Sequence, residues 1–244
     1  MKNLKGKAII ITGAAKRIGK AFALAAAKHG ASIILHYGKS EKEALQTAEQ
    51  IRVLGVQVDL LQSNFSEPPK ALSSFQDFLS SYQRDIYALV NNASLFAPLK
   101  FFDTDFDQWN NHMNINLSVP FLLTKLFAKH LGERKKGKVI NILDWRALRP
   151  GKDHFPYTIS KSGLLALTKS TAIALAPNIQ VNGIALGAIL PPSNGGGTDT
   201  NIQPVPMRRW ADISELTDTF MFLLNAPDYI TGEIIHVDGG RHLV

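Results

Sequence analysis

The sequence predicts an α/β fold in which helices cover both faces of a parallel sheet. Short apolar runs alternate with longer amphipathic stretches, and the apolar runs are nearly continuous rather than alternating with polar residues. Strands that are buried on both faces have this pattern because neither face meets water. Helices between such strands form right-handed crossovers, so we expect a doubly wound fold.

Each apolar run is expected to be a strand and each amphipathic stretch a helix. The seven expected strands are residues 7–12, 31–37, 56–61, 86–91, 138–143, 179–185 and 233–237. The expected helices are residues 18–29, 40–54, 68–82, 105–131, 155–176 and 213–225. With no linker between them, a single domain over residues 1–244 is expected. Residues 187–212 are rich in Pro and Gly; we interpret them as a substrate lid, with a disordered surface excursion as the alternative.

The composition excludes several classes of protein. With no cysteine, disulfides and thiolate metal sites are excluded, and the seven histidines lack a metal-ligand spacing, so no metal is expected. No apolar run reaches the length of a membrane span and no signal peptide is evident, so we expect a cytoplasmic protein without a membrane partner. The net charge of +7 includes a basic run at residues 134–138, which we interpret as a solvated loop rather than a nucleic-acid site.

The first strand is followed by a glycine-containing turn and a helix. Residues 12–19 read TGAAKRIG, which places Gly13 at the turn and Gly19 at the start of the helix. Small residues let backbone N–H groups approach a pyrophosphate, and the helix N-terminus adds partial positive charge. This arrangement favours a dinucleotide site, although a tight strand-to-helix turn would have the same pattern.

The end of the second strand indicates which dinucleotide binds. An NAD site usually has Asp or Glu here, which holds the ribose hydroxyls. Residues 36–40 read HYGKS and contain no acid. The Lys39 ammonium and the Ser40 hydroxyl suit the 2′-phosphate of NADP, so NADP(H) is the expected cofactor.

Asparagines follow the fourth strand and lie in the long helix after it. A structural role is an alternative for Asn91 and Asn92: buried amides need hydrogen-bond partners, and these two could join the strand to the helix. Asn116 is followed by Pro120, and an asparagine beside a proline can interrupt the helical hydrogen bonds and free a carbonyl to hold a water.

Tyr157 and Lys161 are one helical turn apart, so both side chains leave the same face of a helix. A phenol is a poor acid at neutral pH, but an ammonium beside it favours the phenolate. Asp144 stands thirteen residues before the tyrosine. The three residues together indicate acid/base chemistry, whereas a surface tyrosine above a solvated lysine is the structural alternative.

With these residues in view, the chain resembles a classical short-chain dehydrogenase/reductase, a Rossmann-fold enzyme, over its whole length. The resemblance rests on the glycine turn, Asn91–Asn92–Ala93, Asn116, the Tyr157/Lys161 pair and the VDGG at residues 237–240. It implies that Tyr157 is the acid/base, that Lys161 holds the nicotinamide ribose and lowers the tyrosine pKa, and that Asn116 anchors a water of a proton relay. It also implies a homotetramer.

The resemblance also implies which residues contact the cofactor and the substrate. The expected cofactor contacts are Gly13, Arg17, Ile18, Gly19, His36, Tyr37, Lys39, Ser40, Asn64, Asn92, Ala93, Ser94, Tyr157, Lys161 and Gly187. The expected substrate contacts are Arg17, Ser94, Phe96, Asp144 and Tyr157.

Departures from the usual family pattern indicate a subfamily. Asp144 replaces the common serine, Ser94 replaces a glycine, and Leu186 replaces the usual proline before Gly187. This combination, with Arg17, resembles the pteridine reductases and the bacterial dihydromonapterin reductases, in which an aromatic ring at the position of Phe96 stacks on the pterin. The expected reaction is hydride transfer from NADPH to a C=N bond of a dihydropterin. A carbonyl reductase acting on an oxoacyl thioester or a sugar, and an NADP-binding sensor, remain alternatives.

Overall fold

The computed structural model describes residues 4–133, 135–191 and 202–244. Its sheet contains β1 Lys7–Ile11, β2 Ser32–Tyr37, β3 Val58–Gln62, β4 Asp85–Asn91, β5 Gly137–Asp144, β6 Ile179–Leu186 and β7 Ile234–Val237. The strand order is β3-β2-β1-β4-β5-β6-β7, and each neighbouring pair is parallel. The predicted doubly wound Rossmann fold with seven parallel strands is confirmed.

Helices cover both faces of this sheet. They are α1 Arg17–Lys28, α2 Glu41–Val53, α3 Pro68–Ser81, α4 Phe106–Met113, α5 Val119–Leu131, α6 Phe155–Leu175 and α7 Ile213–Asn225. One hydrophobic core joins α1, α2 and α7 to the sheet, and the Phe22 ring of α1 stacks on the Phe220 ring of α7 at 4.4 Å. A second core on the opposite face includes Phe75 of α3 and Phe127 of α5.

The apolar character of β1 follows from these two cores. Ile9 and Ile11 belong to the first core, whereas Ala8 and Ile10 belong to the second. Successive side chains of a strand point to opposite faces, so a strand that is covered on both faces must be apolar throughout. The same argument explains why the sequence shows uninterrupted apolar runs.

The order of the strands determines where a ligand can bind. The chain moves outward from β1 to β3 and then returns to the centre of the sheet at β4, so the direction of winding reverses between β1 and β4. In open α/β sheets the crevice at such a reversal, beyond the carboxyl ends of the strands, is the ligand-binding site. The segments that follow β1, β4 and β5 meet at this edge.

The long helix predicted at residues 105–131 has an interruption. A π-helical turn, Asn114–Ser118, separates α4 from α5, and the Val119 N–H donates to the Asn114 carbonyl oxygen. Pro120 follows at the start of α5, where a residue without an N–H is tolerated. Such turns are frequent at functional sites. The interruption falls at Asn116, where the sequence indicates one.

The stretch interpreted as a lid is only partly described, because residues 192–201 lie outside the described ranges. On the near side, Ala211 N–H donates to the Ala188 carbonyl oxygen at 2.9 Å. Met207 N–H donates to the Gly239 carbonyl oxygen at 3.2 Å. These bonds hold the described parts against the ends of β6 and β7, and the lid itself stays a prediction.

The basic run at residues 134–138 is not all loop. Lys138 is the second residue of β5, is buried, and donates from Nζ to the Ala226 carbonyl oxygen at 2.8 Å. Lys135 and Lys136 pair with Asp85 and Asp228, while Arg134 lies outside the described residues. The prediction of a solvated loop is therefore wrong for Lys138. In the described ranges no helix combines the length and the apolar character that crossing a membrane requires.

Candidate active site

The turn after β1 is held in place by hydrogen bonds from two neighbouring strands. The Gly13 N–H donates to Nδ1 of His36 at 3.1 Å. The Asn92 amide donates to the carbonyl oxygens of Thr12 and Gly13 at 2.8 and 3.1 Å, and the Thr12 hydroxyl accepts from the Asn92 and Ala93 N–H groups. Asn92 is thus a brace for the turn, as the structural interpretation of this residue expected.

Glycines let the turn lie against its neighbours. Gly13 has a φ of +63°, and a Cβ there would lie 2.9 Å from the Ala93 Cα. A Cβ on Gly19 would contact the Gly13 carbonyl oxygen and lie 2.6 Å from the Asn92 amide nitrogen. A side chain at either position would collide with neighbouring protein atoms, so the two glycines let the turn pack closely. We call this turn in front of α1 the cradle.

The N-terminus of α1 faces this cradle. Lys16 precedes the helix in an extended conformation, makes no side-chain cap, and the first turn contains no acidic residue. Uncapped N–H groups and the helix dipole suit an anion. Ile18 packs against the first core, whereas Arg17 donates from Nη2 to the Pro191 carbonyl oxygen at 2.9 Å. Arg17 therefore links the turn to the start of the interpreted lid.

His36 does not face the cradle as expected. Its ring is 2% exposed, Nδ1 accepts the Gly13 N–H, and Nε2 lies 3.1 Å from both the carbonyl and the hydroxyl oxygen of Ser63. Burial lowers the pKa of His36 to about 4, so the ring is neutral. Both ring nitrogens are therefore used inside the protein, and a contact between His36 and the cofactor stays a prediction.

The residues after His36 differ in exposure. Tyr37 is buried, and burial followed by the charge of Glu41 raises the pKa of its hydroxyl. The Lys39 side chain is exposed, and Ser40 precedes α2 without capping it through its hydroxyl. Asn64, after β3, bonds to the Ser66 N–H and to Glu67. Lys39 and Ser40 can therefore reach a phosphate group, and their contact with the cofactor stays a prediction.

Asn116 lies in the π-helical turn and is fully buried. Its Oδ1 accepts from the Leu95 N–H at 2.8 Å and from the Ser94 hydroxyl at 3.1 Å. Its Nδ2 donates to the Leu95 carbonyl oxygen at 3.0 Å and to the Ser160 hydroxyl at 2.9 Å. The side chain thus clamps the segment after β4 to α6. Because both polar atoms of the side chain are used, a relay water here would have to bind a backbone carbonyl, and this water stays a prediction.

Tyr157 and Asp144 form a direct hydrogen bond at the centre of the site. The Tyr157 hydroxyl donates to Oδ2 of Asp144 at 3.0 Å, and Oδ1 accepts from the Arg146 N–H at 2.9 Å. Burial raises the pKa of Asp144, and the Arg146 N–H offsets part of this effect. The spacing of thirteen residues therefore brings an acceptor onto the phenol.

Lys161 affects Tyr157 differently from the expectation. Burial, and then the charge of Asp144, raise the pKa of Tyr157 well above its usual range. Lys161 donates from Nζ to the Ile142 carbonyl oxygen at 2.7 Å, and its nitrogen lies 5.7 Å from the centre of the Tyr157 ring. The expectation that Lys161 lowers the tyrosine pKa is wrong for the ligand-free protein. Because its pKa is raised, Tyr157 carries its proton at neutral pH.

Phe96 lies beside the tyrosine and is half exposed. Its ring stacks on His154 at 4.1 Å and meets the Tyr157 ring edge-on at 4.7 Å. Asp153 accepts from Nδ1 of His154 at 2.8 Å and from the Arg146 guanidinium at 2.9 Å. The exposed part of Phe96 is open to a flat ligand.

Sequence reasoning missed Asp153 and His154. His154 has a φ of +52°, a left-handed conformation that places its ring beside Phe96 at the start of α6. The adjacent Asp153–His154 pair is the one signal in the sequence that could have indicated them.

Gly187 follows β6 where two segments come close together. A Cβ there would lie 2.5 Å from the Cα of Asp238, and the Gly187 N–H donates to the Val237 carbonyl oxygen. Leu186 completes β6 and packs in the first core. The glycine is therefore needed for packing, and its contact with a cofactor stays a prediction.

We predict that Lys161→Met stabilises the ligand-free protein near neutral pH. Burial lowers the pKa of Lys161 to about 8 from 10.5 in the unfolded chain. Above the unfolded pKa of 10.5 the lysine is neutral in both states and its burial costs no charge. This stability is lost as the pH falls through the folded pKa of about 8, where the buried lysine becomes charged. Thermal unfolding midpoints of both proteins should show an advantage for methionine near neutral pH that shrinks as the pH approaches the unfolded value.

The control for this experiment is Lys42→Met, because Lys42 is exposed on α2. This variant should show no change in its difference from wild type across the same pH interval. A Lys161→Met difference that is equally independent of pH would refute the buried-charge argument.

Comparisons with known proteins identify the family of the chain. A family model described as enoyl-(acyl carrier protein) reductase matches residues 13–242. The chain is 34% identical to 2-dehydro-3-deoxy-D-gluconate 5-dehydrogenase of Bacillus subtilis (strain 168), over 98% of this chain and 95% of that protein. It is 32% identical to 5-keto-D-gluconate 5-reductase of Escherichia coli (strain K12), over 98% of this chain and 96% of that protein.

Two solved structures are also similar. One is FolM alternative dihydrofolate reductase 1 from Brucella canis, complexed with NADP, with a TM-score of 0.89 and 32% identity over 100% of this chain and 97% of that chain. The other is a blue fluorescent protein from a metagenomic library, in complex with NADPH, with a TM-score of 0.90 and 26% identity over 98% and 99% of the two chains. The chain therefore belongs to the classical short-chain dehydrogenase/reductase family.

Proposed function

We propose that this oxidoreductase is a pteridine reductase, which uses NADPH to reduce a C=N bond of a dihydropterin or a dihydrofolate-like compound. The observation that carries the proposal is the Asp144 carboxylate, which accepts the Tyr157 hydroxyl at 3.0 Å. A carboxylate can accept hydrogen bonds from the N–H groups of an aminopyrimidine ring. It cannot donate to a ketone oxygen unless it is protonated. The similarity to a protein named alternative dihydrofolate reductase supports the same substrate.

The cofactor of this chain is NADP(H). Its pyrophosphate would bind at the cradle, beside Gly13 and Gly19 and at the uncapped N-terminus of α1. The exposed Lys39 and the Ser40 hydroxyl suit the 2′-phosphate, because no acid stands at the end of β2. Lys161 would hold the nicotinamide ribose, as the family resemblance implies. When bound, NADPH supplies the hydride.

The residues of the protein supply the proton and orient the substrate. Reduction of C=N adds a hydride to carbon and a proton to nitrogen, and Tyr157 donates that proton because burial keeps its hydroxyl protonated. Asp144 orients the aminopyrimidine edge through its N–H groups. The exposed part of Phe96 stacks on the pterin ring, which holds the reacting atoms in place.

A carbonyl reductase is the second candidate function. Several relatives in the comparisons carry names of enzymes that act on carbonyl compounds, among them the 3-oxoacyl-[acyl-carrier-protein] reductase of Synechocystis, at 29% identity. For such a substrate Tyr157 would donate to the carbonyl oxygen and Asp144 would replace the usual serine. A non-catalytic NADP sensor is less favoured, because a sensor has no need of the Tyr157 and Asp144 pair.

The architecture proposed for the enzyme extends beyond the site. Residues 1–244 form one catalytic domain, and residues 187–212 act as its substrate lid. Exposed apolar side chains on the long helices, Phe121 of α5 and Ile159 and Ile173 of α6, support association into a homotetramer. The enzyme acts on small molecules in the cytoplasm.

Tyr157→Phe is predicted to lower the turnover of a dihydropterin by about 100-fold or more, because it removes the proton donor. NADPH should still bind, since the cradle at α1 is unchanged. Single-turnover NADPH oxidation and a direct binding titration measure the two effects. Near-normal turnover in this variant would require a different donor.

Asp144→Ser is predicted to separate the two candidate functions. It should reduce kcat/KM for dihydrobiopterin about tenfold or more, because the acceptor for the ring N–H groups is lost. Reduction of an acetoacetyl thioester should not fall, because serine is the usual family residue for carbonyl substrates. A wild type that reduces the thioester efficiently and ignores dihydropterins would overturn the pteridine proposal.

The cofactor preference provides a further prediction. NADPH should bind about tenfold or more tightly than NADH, because a charge-assisted contact contributes about 1.5 to 3 kcal/mol. Lys39→Ala should narrow this preference, whereas Lys42→Ala, a matched change on α2, should not. Titrations with both cofactors measure the ratio, and equal affinities in the wild type would contradict the role of the β2 end.

A further inference from the structure

Two guanidinium groups lie over one indole at the edge of the site. The Arg146 guanidinium carbon is 4.7 Å from the centre of the Trp145 ring, and that of Arg241 is 4.4 Å from it. Arg149 is close enough to affect Arg241, since burial and then the charges of Arg149 and Arg146 lower the pKa of Arg241. We call Arg146 and Arg241, whose guanidinium groups lie over Trp145, together with the exposed Arg149 nearby, the arginine rim.

The arginine rim adjoins the proton donor. Trp145 directly follows Asp144, whose carboxylate accepts the Tyr157 hydroxyl. Burial and Asp144 raise the pKa of Tyr157, and the charge of Arg146 offsets a small part of this rise. Arg241 follows β7, and β5 and β7 both flank β6, so their carboxyl ends lie at the same edge of the sheet. A substituent on a ligand bound at Asp144 can therefore extend to the rim.

The positive charge of the rim is only partly compensated. Asp153 accepts from Arg146, but it is shared with His154. The Asp238 carboxylate accepts from the Gly240 and His242 N–H groups and from the His242 ring, and forms no ion pair with Arg241.

Arg241 itself donates to the Val244 carbonyl oxygen. Among residues 4–133, 135–191 and 202–244, no Asp or Glu side chain pairs with Arg149 or Arg241 within 4.0 Å.

Two like charges over one ring, with a third nearby, repel each other, which costs free energy unless an anion is present. Guanidinium groups bind carboxylates with two parallel hydrogen bonds, and the contact strengthens where water is partly excluded. The Arg146 side chain is partly buried, with 17% of its surface exposed, so water is partly excluded there. The rim is therefore a more favourable environment for a carboxylate than bulk water is.

We propose that the arginine rim binds a carboxylate on the substituent of the substrate, so that the enzyme prefers dihydropterins with an anionic side chain over neutral ones. This inference rests on the proposed pteridine reduction and names its substrate class. Dihydrofolate, with its glutamate carboxylates, represents the anionic class, and dihydrobiopterin represents the neutral class. Both present the same aminopyrimidine edge to Asp144, so a difference between them reports on the rim.

The test compares kcat/KM for dihydrofolate and dihydrobiopterin in the wild type and in the double variant Arg149→Gln with Arg241→Gln. The wild type should prefer dihydrofolate, and the double variant should lose about tenfold in kcat/KM for dihydrofolate. The loss should appear in KM, because the rim is remote from the reacting atoms. Dihydrobiopterin kinetics should change little, and added sodium chloride should weaken the wild-type preference.

A matched control removes the same charge elsewhere. Arg52 and Arg84 pair with Glu49 and Asp59 away from the site, so Arg52→Gln with Arg84→Gln lowers the net charge equally and should retain the preference. An equal loss on both pterins in the rim variant, or no loss on dihydrofolate, would overturn the inference.

Binding of p-aminobenzoylglutamate provides a readout that needs no turnover. Calorimetry should detect binding to the wild type and a loss of about tenfold in the rim variant. A wild type that reduces neither pterin refutes the proposed function. In that case the calorimetry alone tests whether the rim binds a carboxylate. Equal binding of this fragment by both proteins would overturn the rim.

Discussion

The buried amide of Asn116 determines how the two sides of the site meet. It uses both its donor and its acceptor atoms to join the segment after β4 to Ser160 of α6. Phe96 stands on that segment and Tyr157 on that helix, so the stacking surface and the proton donor share one connection. An amide in this position costs free energy unless every bond is made, which favours a single arrangement of the two sides.

The chemistry of the site depends on excluding water. Burial drives the pKa of Tyr157 up and that of Lys161 down, so each side chain favours its uncharged form more than it would in water. The charge of Asp144 reinforces the effect on Tyr157 and moderates the effect on Lys161, because it raises the pKa of both neighbours. An enzyme that keeps a lysine in such a position gives up stability for reactivity, a trade that is common at active sites.

The sequence predicted the strands well because burial on both faces leaves an unmistakable apolar run. The sequence did not predict side-chain contacts between residues that hydrophobic periodicity does not relate. Lys138 lies within an apolar strand because its ammonium reaches the carbonyl of Ala226, which is 88 residues away. His154 contacts Phe96 because of a left-handed backbone conformation, and no spacing encodes it. The Tyr157 and Asp144 pair was found from spacing, but the direction of the tyrosine's pKa shift required the burial.

The position of His36 has a consequence for attempts to change the cofactor. Because Nδ1 accepts the Gly13 N–H, the proton of the neutral ring is fixed on Nε2, where Ser63 accepts it. The imidazole therefore acts as a rigid strut whose two ends are chemically distinct. An aspartate introduced here to attract a ribose would be buried without a counter-ion and would span less distance than the ring. Redesign toward NADH must therefore begin at residues 38–40, among which Lys39 is exposed and Gly38 and Ser40 are half-buried.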